Sequence, residues 1–553
     1  MARNTGDEWW RSAVMYQIYP RSFQDSNGDG IGDLQGIIDR LDYLNDGTPR
    51  SLGIDGIWLS PTFPSPMKDF GYDVSDYEGV HPEFGELATM DRLIAECHRR
   101  GIKLLLDYVP NHSSDQHPWF IESKSSRTNP KRDWYVWRDP VAGGGPPNNW
   151  RAAFGGGAWQ FDETTGQYYL HSFLVEQPDL NWRNPEVVKA MHDVLRFWFD
   201  RGIDGFRIDV VGMILKHPEF ADNPLNPAWQ AGDARHSKYL NAHVLNYPDV
   251  FPAVRGIRDV FDEYPDRMAV GEVFGTAEEI SQFYGEGGLN GLHLAFNFQF
   301  ISEHHNAVTT PWDAAILSRI VSNAEAAIPS GGQPCYALAN HDEPRFISRN
   351  NADGRGRERA AAAAIMLLGL RGTPFLYYGE EIGMINGEIP EDRLRDPARF
   401  RTRGRDPERT PMQWDGNPGR GFSEAEPWLP YGPDDISVVS QEGDPGSLLE
   451  LHRRAIWRRK LEPSLLRGSY NELDGMPMGV FAFERQAPGA RPVTVVVNTS
   501  TEPRTVPLAE QRGSVLVATD PSVEGSAVRG SVTVAALGAL MIAGADPAVP
   551  LVS

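Results

Sequence analysis

The stretch Gly202–Gly212, GIDGFRIDVVG, decides how the chain is read. A Gly-Ile-Asp-Gly turn leads into a short apolar run, Phe206 to Val211, that reads as a strand. Inside it Arg207 and Asp209 stand two residues apart, so a cation and a carboxylate share one face of the strand. A buried charge is costly unless it is paired or used. An isolated Arg-x-Asp is more often a structural ion pair. Here the pattern gains weight because other strands end in polar groups at similar places.

Working outward, apolar strands are predicted before this stretch at Val14–Tyr19, Gly56–Leu59 and Lys103–Val109. Four more follow at Met268–Val273, Leu292–Phe298, Cys335–Ala339 and Pro374–Tyr378. Helical runs such as Leu34–Leu44, Leu87–Arg100 and Pro185–Asp200 separate them. Near-continuous apolar strands alternating with helices predict a parallel sheet covered on both faces. Eight strands is the number of a closed (β/α)8 TIM barrel, an α/β fold. The rhythm breaks from about Asn111 to Leu180, which is rich in Gly, Pro, Asn and Trp. The expected division is barrel over residues 1–110, an inserted subdomain after strand 3 over 111–180, and barrel again over 181–467. A helix at Ser447–Arg459 closes the barrel. Short Val/Thr-rich runs over 468–553 predict a C-terminal antiparallel β-domain.

A chain of 553 residues can bury a large core, and its net charge of -22 argues against a nucleic-acid partner. Cys97 and Cys335 fall in a helical and a strand-like run, so both are expected free and buried. The start, MARNTGDEWWRSAV, has no apolar signal-peptide core, and Ala360–Leu370 is too short to span a membrane. The expectation is a cytoplasmic protein without membrane contact, monomeric or a small homo-oligomer. No Cys/His zinc pattern, phosphate-binding glycine loop or serine nucleophile elbow occurs.

In such barrels chemistry sits at the C-terminal ends of the strands. Those ends collect Asp107 and His112, Arg207 and Asp209, Glu272, and His341 with Asp342. Packing does not call for four carboxylates, two histidines and an arginine on one rim. A carboxylate pair suits glycosidic cleavage, because the leaving oxygen needs an acid and the anomeric carbon an anion. Asp209 and Glu272 come from consecutive strands, which can bring carboxyl groups to the ~5–5.5 Å separation of retaining enzymes. Separately, Asp25, Asn27 and Asp29, followed by Gly30, repeat the first half of a calcium loop, with the Ile31 carbonyl and Asp33 as further oxygens. The pattern then fails, since Gly36 stands where the bidentate glutamate belongs.

The segments DYVPNH (Asp107–His112), GFRID (Gly205–Asp209), GEVF (Gly271–Phe274) and NHDEPR (Asn340–Arg345) resemble the four signature regions of the α-amylase family, glycoside hydrolase family 13. With QPDLNW (Gln177–Trp182), QIYPRSF and GDGIGDL they resemble its α-glucosidase and oligo-1,6-glucosidase branch. The resemblance implies that Asp209 is the nucleophile, Glu272 the general acid/base and Asp342 the transition-state stabiliser. It implies that Arg207 keeps Asp209 ionised and that His112 and His341 bind sugar hydroxyls. Asp69 and Arg405 would grip the non-reducing end, with Arg409 a weaker candidate for the second guanidinium. Tyr72 would be a stacking platform and Phe173 a pocket wall. The loop of Asp25, Asn27, Asp29, Ile31 and Asp33 would hold a structural Ca2+, with no organic cofactor.

The expected activity is retaining, exo-acting release of glucose from short α-glucosides such as maltose, isomaltose, sucrose or malto-oligosaccharides, with some transglycosylation. An oligo-1,6-glucosidase, or a sucrose isomerase or trehalose synthase, is the alternative within the class. A non-catalytic transporter heavy chain would need an anchor and commonly lacks the carboxylates. Two segments, Val141–Trp150 and ILKHPEFADNPLNP after Met213, match no motif and are expected to border the acceptor side.

Overall fold

The computed structural model describes residues 8–230, 238–302, 309–400 and 404–545. Eight parallel strands run in chain order: β1 Met15–Ile18, β2 Gly56–Leu59, β3 Lys103–Tyr108, β4 Gly205–Ile208, β5 Met268–Gly271, β6 Leu294–Ala295, β7 Cys335–Ala337 and β8 Thr373–Tyr377. Each pairs with its neighbour in sequence, and β8 returns to β1 through Met15 opposite Phe375. The sheet closes between β6 and β7 by a parallel bridge from Asn297 to Tyr336, where the Asn297 amide donates to the Cys335 carbonyl at 2.9 Å. This is the expected (β/α)8 barrel.

Alternation along the strands sorts the core. Met15, Trp58, Leu105, Val270 and Phe375 pack together, while Tyr16, Ile57, Leu106, Phe206 and Ala269 belong to a second cluster that takes in the helices. The helix Pro185–Asp200 shows how one of these layers forms. Asn184 caps it by accepting from the Glu186 amide, proline opens it, and Val187, Met191, Val194, Leu195 and Trp198 make one buried stripe. Gly202, at φ +104°, then turns the chain into β4, a conformation L side chains rarely adopt.

The inserted region contains more regular structure than its composition suggested. Trp137–Arg138, Trp159–Asp162 and Gln167–Leu170 form a three-stranded antiparallel sheet, and Pro118–Ser125 is helical. The two segments without motifs pack on each other. Asn148 donates to the Phe220 carbonyl at 3.0 Å, the Trp150 indole donates to Ala221, and Asn149 exchanges bonds with Asn223. The C-terminal strands form a six-stranded antiparallel sheet, whose Val495 lies where a side chain on Gly369 would clash.

Several strand and helix boundaries differ from the sequence expectation, three of them markedly. The helix expected over Leu34–Leu44 breaks at Arg40 into Leu34–Asp39 and Leu41–Leu44. β6 keeps only two residues, because the chain bends towards β7 at Asn297. β4 ends at Ile208 rather than Val211, since Val210 is left-handed at φ +34° and ψ +43°. Cys97 and Cys335 are both free and buried, as expected. Among the described residues no helix is long and apolar enough to cross a membrane. Residues 546–553 of the expected β-domain lie outside the described residues.

Candidate active site

At the C-terminal end of the barrel the inward face turns from apolar to charged. Gln17 follows Met15, Asp107 follows Leu105, Arg207 follows Gly205 and Glu272 follows Val270, each two residues on and therefore on the same side of its strand. The β3–β4 register sets Asp107 beside Arg207. Arg207 is only 1% exposed and is shared among three carboxyls. Its Nη1 donates to Asp107 Oδ1 at 2.9 Å and Asp209 Oδ1 at 2.6 Å, and its Nη2 pairs with Glu272 Oε2 at 2.7 Å. Trp58 lies under the guanidinium, 4.9 Å from ring centroid to carbon, and donates its indole N–H to Asp107.

One cation among three buried carboxyls cannot keep them all ionised. Burial pushes Asp209 well above the usual carboxylate range, and Glu272 and Asp107 add to this against the pull of Arg207. Glu272 is raised for the same first reason, and Asp107 is pushed to about 6. Arg207 thus pairs with Asp209 as the sequence reading expects and favours its ionised form, while burial and the neighbouring carboxyls Glu272 and Asp107 oppose it.

Past the end of β4 the left-handed Val210 points its amide at Glu272, donating to Oε2 at 3.0 Å. A β-branched residue is uncommon there, so the surroundings must hold it. Nothing in the local sequence marks this turn.

Two histidines are oriented by amides. Gln17 Nε2 lies 2.8 Å from His341 Nδ1 and donates to it, so the ring proton sits on Nε2, which reaches Tyr72 Oη at 2.7 Å. Tyr72 in turn donates to Asp107 at 3.0 Å. The Tyr72 ring runs parallel to His341, 5° between planes. In the same way Asn111 Nδ2 faces His112 Nδ1 at 3.1 Å, and His112 Nε2 meets the Tyr72 carbonyl at 3.2 Å. Burial lowers both histidines, His112 to about 4, so both are neutral near pH 7.

The outer rim is tied by Arg405. Its guanidinium pairs with Asp342 at 2.9 Å, Asp69 at 2.7 Å and Asp396 at 2.7 Å, and stacks over Phe154. Arg409 also reaches Asp342, at 3.1 Å, and donates Nε to the His341 carbonyl, so both arginines converge on that carboxylate. Burial opposes ionisation of Asp342, but His341, Arg405 and Arg409 hold it far below the usual range. Asp69 accepts from Gln177, which also touches His112, whose ring packs on Phe173. Burial outweighs Arg405 at Asp69 and pushes it to about 6, while Arg405 and Arg409 reverse burial at Asp396 and leave it about 2.

The Asp25–Asp33 loop is remote from this cluster in its contacts. Asp25 accepts from the amides of Asn27, Gly28 and Gly30 and from Ser423; Asn27 accepts from Asp29, and Asp29 from Ile31. Asp33 caps the next helix and binds Ser26. Side-chain oxygens thus turn onto the loop's own amides. Among the described residues no three His, Cys, Asp or Glu groups converge as a metal site.

The structure brings together all ten residues expected to act or to bind substrate. It adds Gln17, Trp58, Gln177 and Asp396, which sequence reading did not place there. Gln17 and Gln177 stood in motif segments and Trp58 on a barrel strand, so a parity argument could have found Gln17 and Trp58. Asp396 sits in irregular chain and carries no such signal.

A model of the α-amylase catalytic domain matches residues 17–468. A probable α-glucosidase of Rhizobium meliloti is 45% identical over 83% of this chain and 84% of its own. An oligo-1,6-glucosidase of Parageobacillus thermoglucosidasius is 41% identical over 84% of this chain and 85% of its own. Among solved structures, the α-glucosyl transfer enzyme XgtA is similar with a TM-score of 0.88 at 38% identity, covering 97% of this chain and 100% of that one. Trehalulose synthase MutB from Pseudomonas mesoacidophila MX-45 is similar with a TM-score of 0.87 at 34% identity, again over 97% and 100%. With that model spanning the barrel and these relatives spanning most of the chain, the protein belongs to the α-amylase family, glycoside hydrolase family 13.

Proposed function

We propose that this glycoside hydrolase is a retaining, exo-acting α-glucosidase that releases glucose from the non-reducing ends of short α-glucosides. The observation that carries the reading is Arg207 holding Asp209 and Glu272 at the floor of a rim closed by Asp69, Arg405 and Asp342. In the first step an Asp209 oxygen attacks the anomeric carbon while Glu272 gives its proton to the departing glycosidic oxygen. The anion of Asp342 offsets the charge that develops on the sugar ring. In the second step Glu272, now a carboxylate, takes a proton from water, whose oxygen displaces Asp209 and releases glucose with configuration retained. His112 and His341, neutral near pH 7, stand beside the first sugar and recognise its hydroxyls as their bonds to Tyr72 rearrange. Asp69 with Arg405 binds the hydroxyls at the non-reducing end, and these charges at the closed end support single-glucose release. Phe173 forms part of the pocket wall, and Tyr72 offers its ring to the sugar. A sugar hydroxyl can replace water in the second step, giving transglycosylation. Release of glucose from p-nitrophenyl α-glucoside and from maltose, isomaltose and sucrose tests the reading.

A second reading is favoured by the similarity to XgtA and MutB, whose names specify glucosyl transfer and trehalulose synthesis. On that reading the main products from sucrose are isomers rather than free glucose and fructose, which product analysis separates. We further propose that the loop of Asp25, Asn27, Asp29, the Ile31 carbonyl and Asp33 binds Ca2+ as a structural ion. The oxygen spacing supports it, and Ca2+ would supply no step of the reaction. The two free, buried cysteines are compatible with the cytoplasmic location read from the sequence.

A further inference from the structure

Asn246 lies on the segment between β4 and the helix Val250–Phe261, far in sequence from every motif. It is left-handed, at φ +51°, a conformation asparagine tolerates better than most residues. Its backbone amide donates to the Gly212 carbonyl at 2.8 Å, three residues beyond Asp209. Its side-chain Nδ2 donates to the Phe274 carbonyl at 2.8 Å, two residues beyond Glu272. The fit is tight, since a Cβ on Gly212 would stand 2.2 Å from Asn246 Oδ1. Thus one residue, through its backbone on one side and its side chain on the other, joins the turn that follows β4 to the turn that follows β5. Closer to the carboxyls, the strand ends are joined by Arg207, which pairs with both Asp209 and Glu272, and by the Val210 amide on Glu272.

We propose that Asn246 is a positioning residue that sets the distance and angle between Asp209 and Glu272. Resting on the reading of those two carboxyls as nucleophile and acid/base, the assignment needs no contact between Asn246 and substrate. Strand pairing and Arg207 hold the strand ends, and Asn246 adds a tie between the irregular turns beyond them. Small misplacement of an acid costs rate even when the fold is intact. Releasing the β5 turn also weakens the Val210–Glu272 bond, which stabilises the carboxylate form, so the acid would lose its proton at higher pH.

Asn246→Gly keeps the backbone conformation and the bond to Gly212 but removes the tie to Phe274. Asn246→Asp keeps the shape but sets a carboxylate oxygen against that carbonyl. Both variants should melt as cooperatively as wild type. Both should lose about tenfold in kcat/KM on maltose, distinctly less in single-turnover glucosylation by an activated aryl glucoside, and show an alkaline limb moved to higher pH. The loss should fall in kcat rather than KM. Equal losses on both substrates, or an unmoved alkaline limb in a folded variant, overturn the assignment and make Asn246 a structural tie only. Should the variants not fold, Asn246→Ser, whose hydroxyl is too short to reach the Phe274 carbonyl, should show the same unequal losses and shifted limb, and equal losses or an unmoved limb there overturn the assignment. Absence of wild-type activity on any α-glucoside would instead contradict the reading of the site.

Discussion

The backbone amide of Val210 donates to Oε2 of Glu272 at 3.0 Å, so the residue directly after Asp209 binds the partner carboxyl on the next strand. Val210 can do this only because it leaves the extended conformation. Its left-handed backbone ends β4 one residue before Asp209, swings the N–H across to β5 and keeps the valine side chain buried. Linkage preference can therefore be probed at this position without disturbing the turn.

Val210→Thr is the suitable probe because threonine is also β-branched and meets the same backbone strain. The resemblance to the oligo-1,6-glucosidase branch implies that valine here goes with α-1,6 cleavage and threonine with α-1,4 preference. Wild type is expected to act on isomaltose as well as maltose. The substitution should shift the ratio of kcat/KM values towards maltose by no more than a contact worth ~1–3 kcal/mol allows. An unmoved ratio would make Val210 a backbone device alone.

Glu272→Gln should separate the two carboxyls by leaving group. Loss of acid assistance is worth ~10²–10⁴-fold on maltose, and much less in glucosylation by an activated glucoside. Single-turnover rates on both substrates decide this. Equal losses would assign the proton to another group.

Two of the three carboxyl partners of Arg405, Asp69 and Asp396, are shifted in opposite directions. Asp69 is raised to about 6, so below that pH it protonates and its grip on the sugar weakens. KM for maltose should climb as pH falls through 6, and Asp69→Asn should start from a higher KM that no longer changes there. Asp396 is lowered to about 2, so its stabilising effect is fully present above its unfolded pKa of ~3.9 and is lost as pH falls through 2. Asp396→Asn should accordingly lower the melting temperature at pH 7 and much less at pH 2.

Removal of divalent cations should lower the melting temperature, because an ion that binds only the folded loop adds to stability. Turnover at low temperature should change little. An unchanged melting temperature in metal-free protein would leave Asp25–Asp33 as a turn held by its own amides.

Much of this was legible because period-two alternation is explicit in a buried parallel strand. Leu105 and Asp107 announce both the inward face of β3 and the charge at its end, and Gly202 marks the turn into β4. What escaped reading lies where local rules are overridden. Val210 is β-branched and reads as strand, yet tertiary contacts turn it left-handed. The two-residue β6 leaves too little pattern to bound. Gly- and Pro-rich chain around Trp159 hid a small antiparallel sheet, because its cross-strand partners are set by packing against Phe120 and Phe220 rather than by alternation. Asp396 and Asn246 act through irregular chain, where spacing carries no information. The shared state of Arg207 needed coordinates, since sequence shows one Arg-x-Asp and not three carboxyls on one guanidinium.

The central claim is that Asp209 forms a covalent bond to the anomeric carbon. The most direct measurement is mass spectrometry of protein quenched during turnover of a 5-fluoro-α-glucosyl fluoride, followed by peptide mapping. The account predicts one added glucosyl group on the peptide carrying Asp209, absent in a folded Asp209→Asn variant. A label on another residue, or turnover without any covalent adduct and with inverted product, would contradict it.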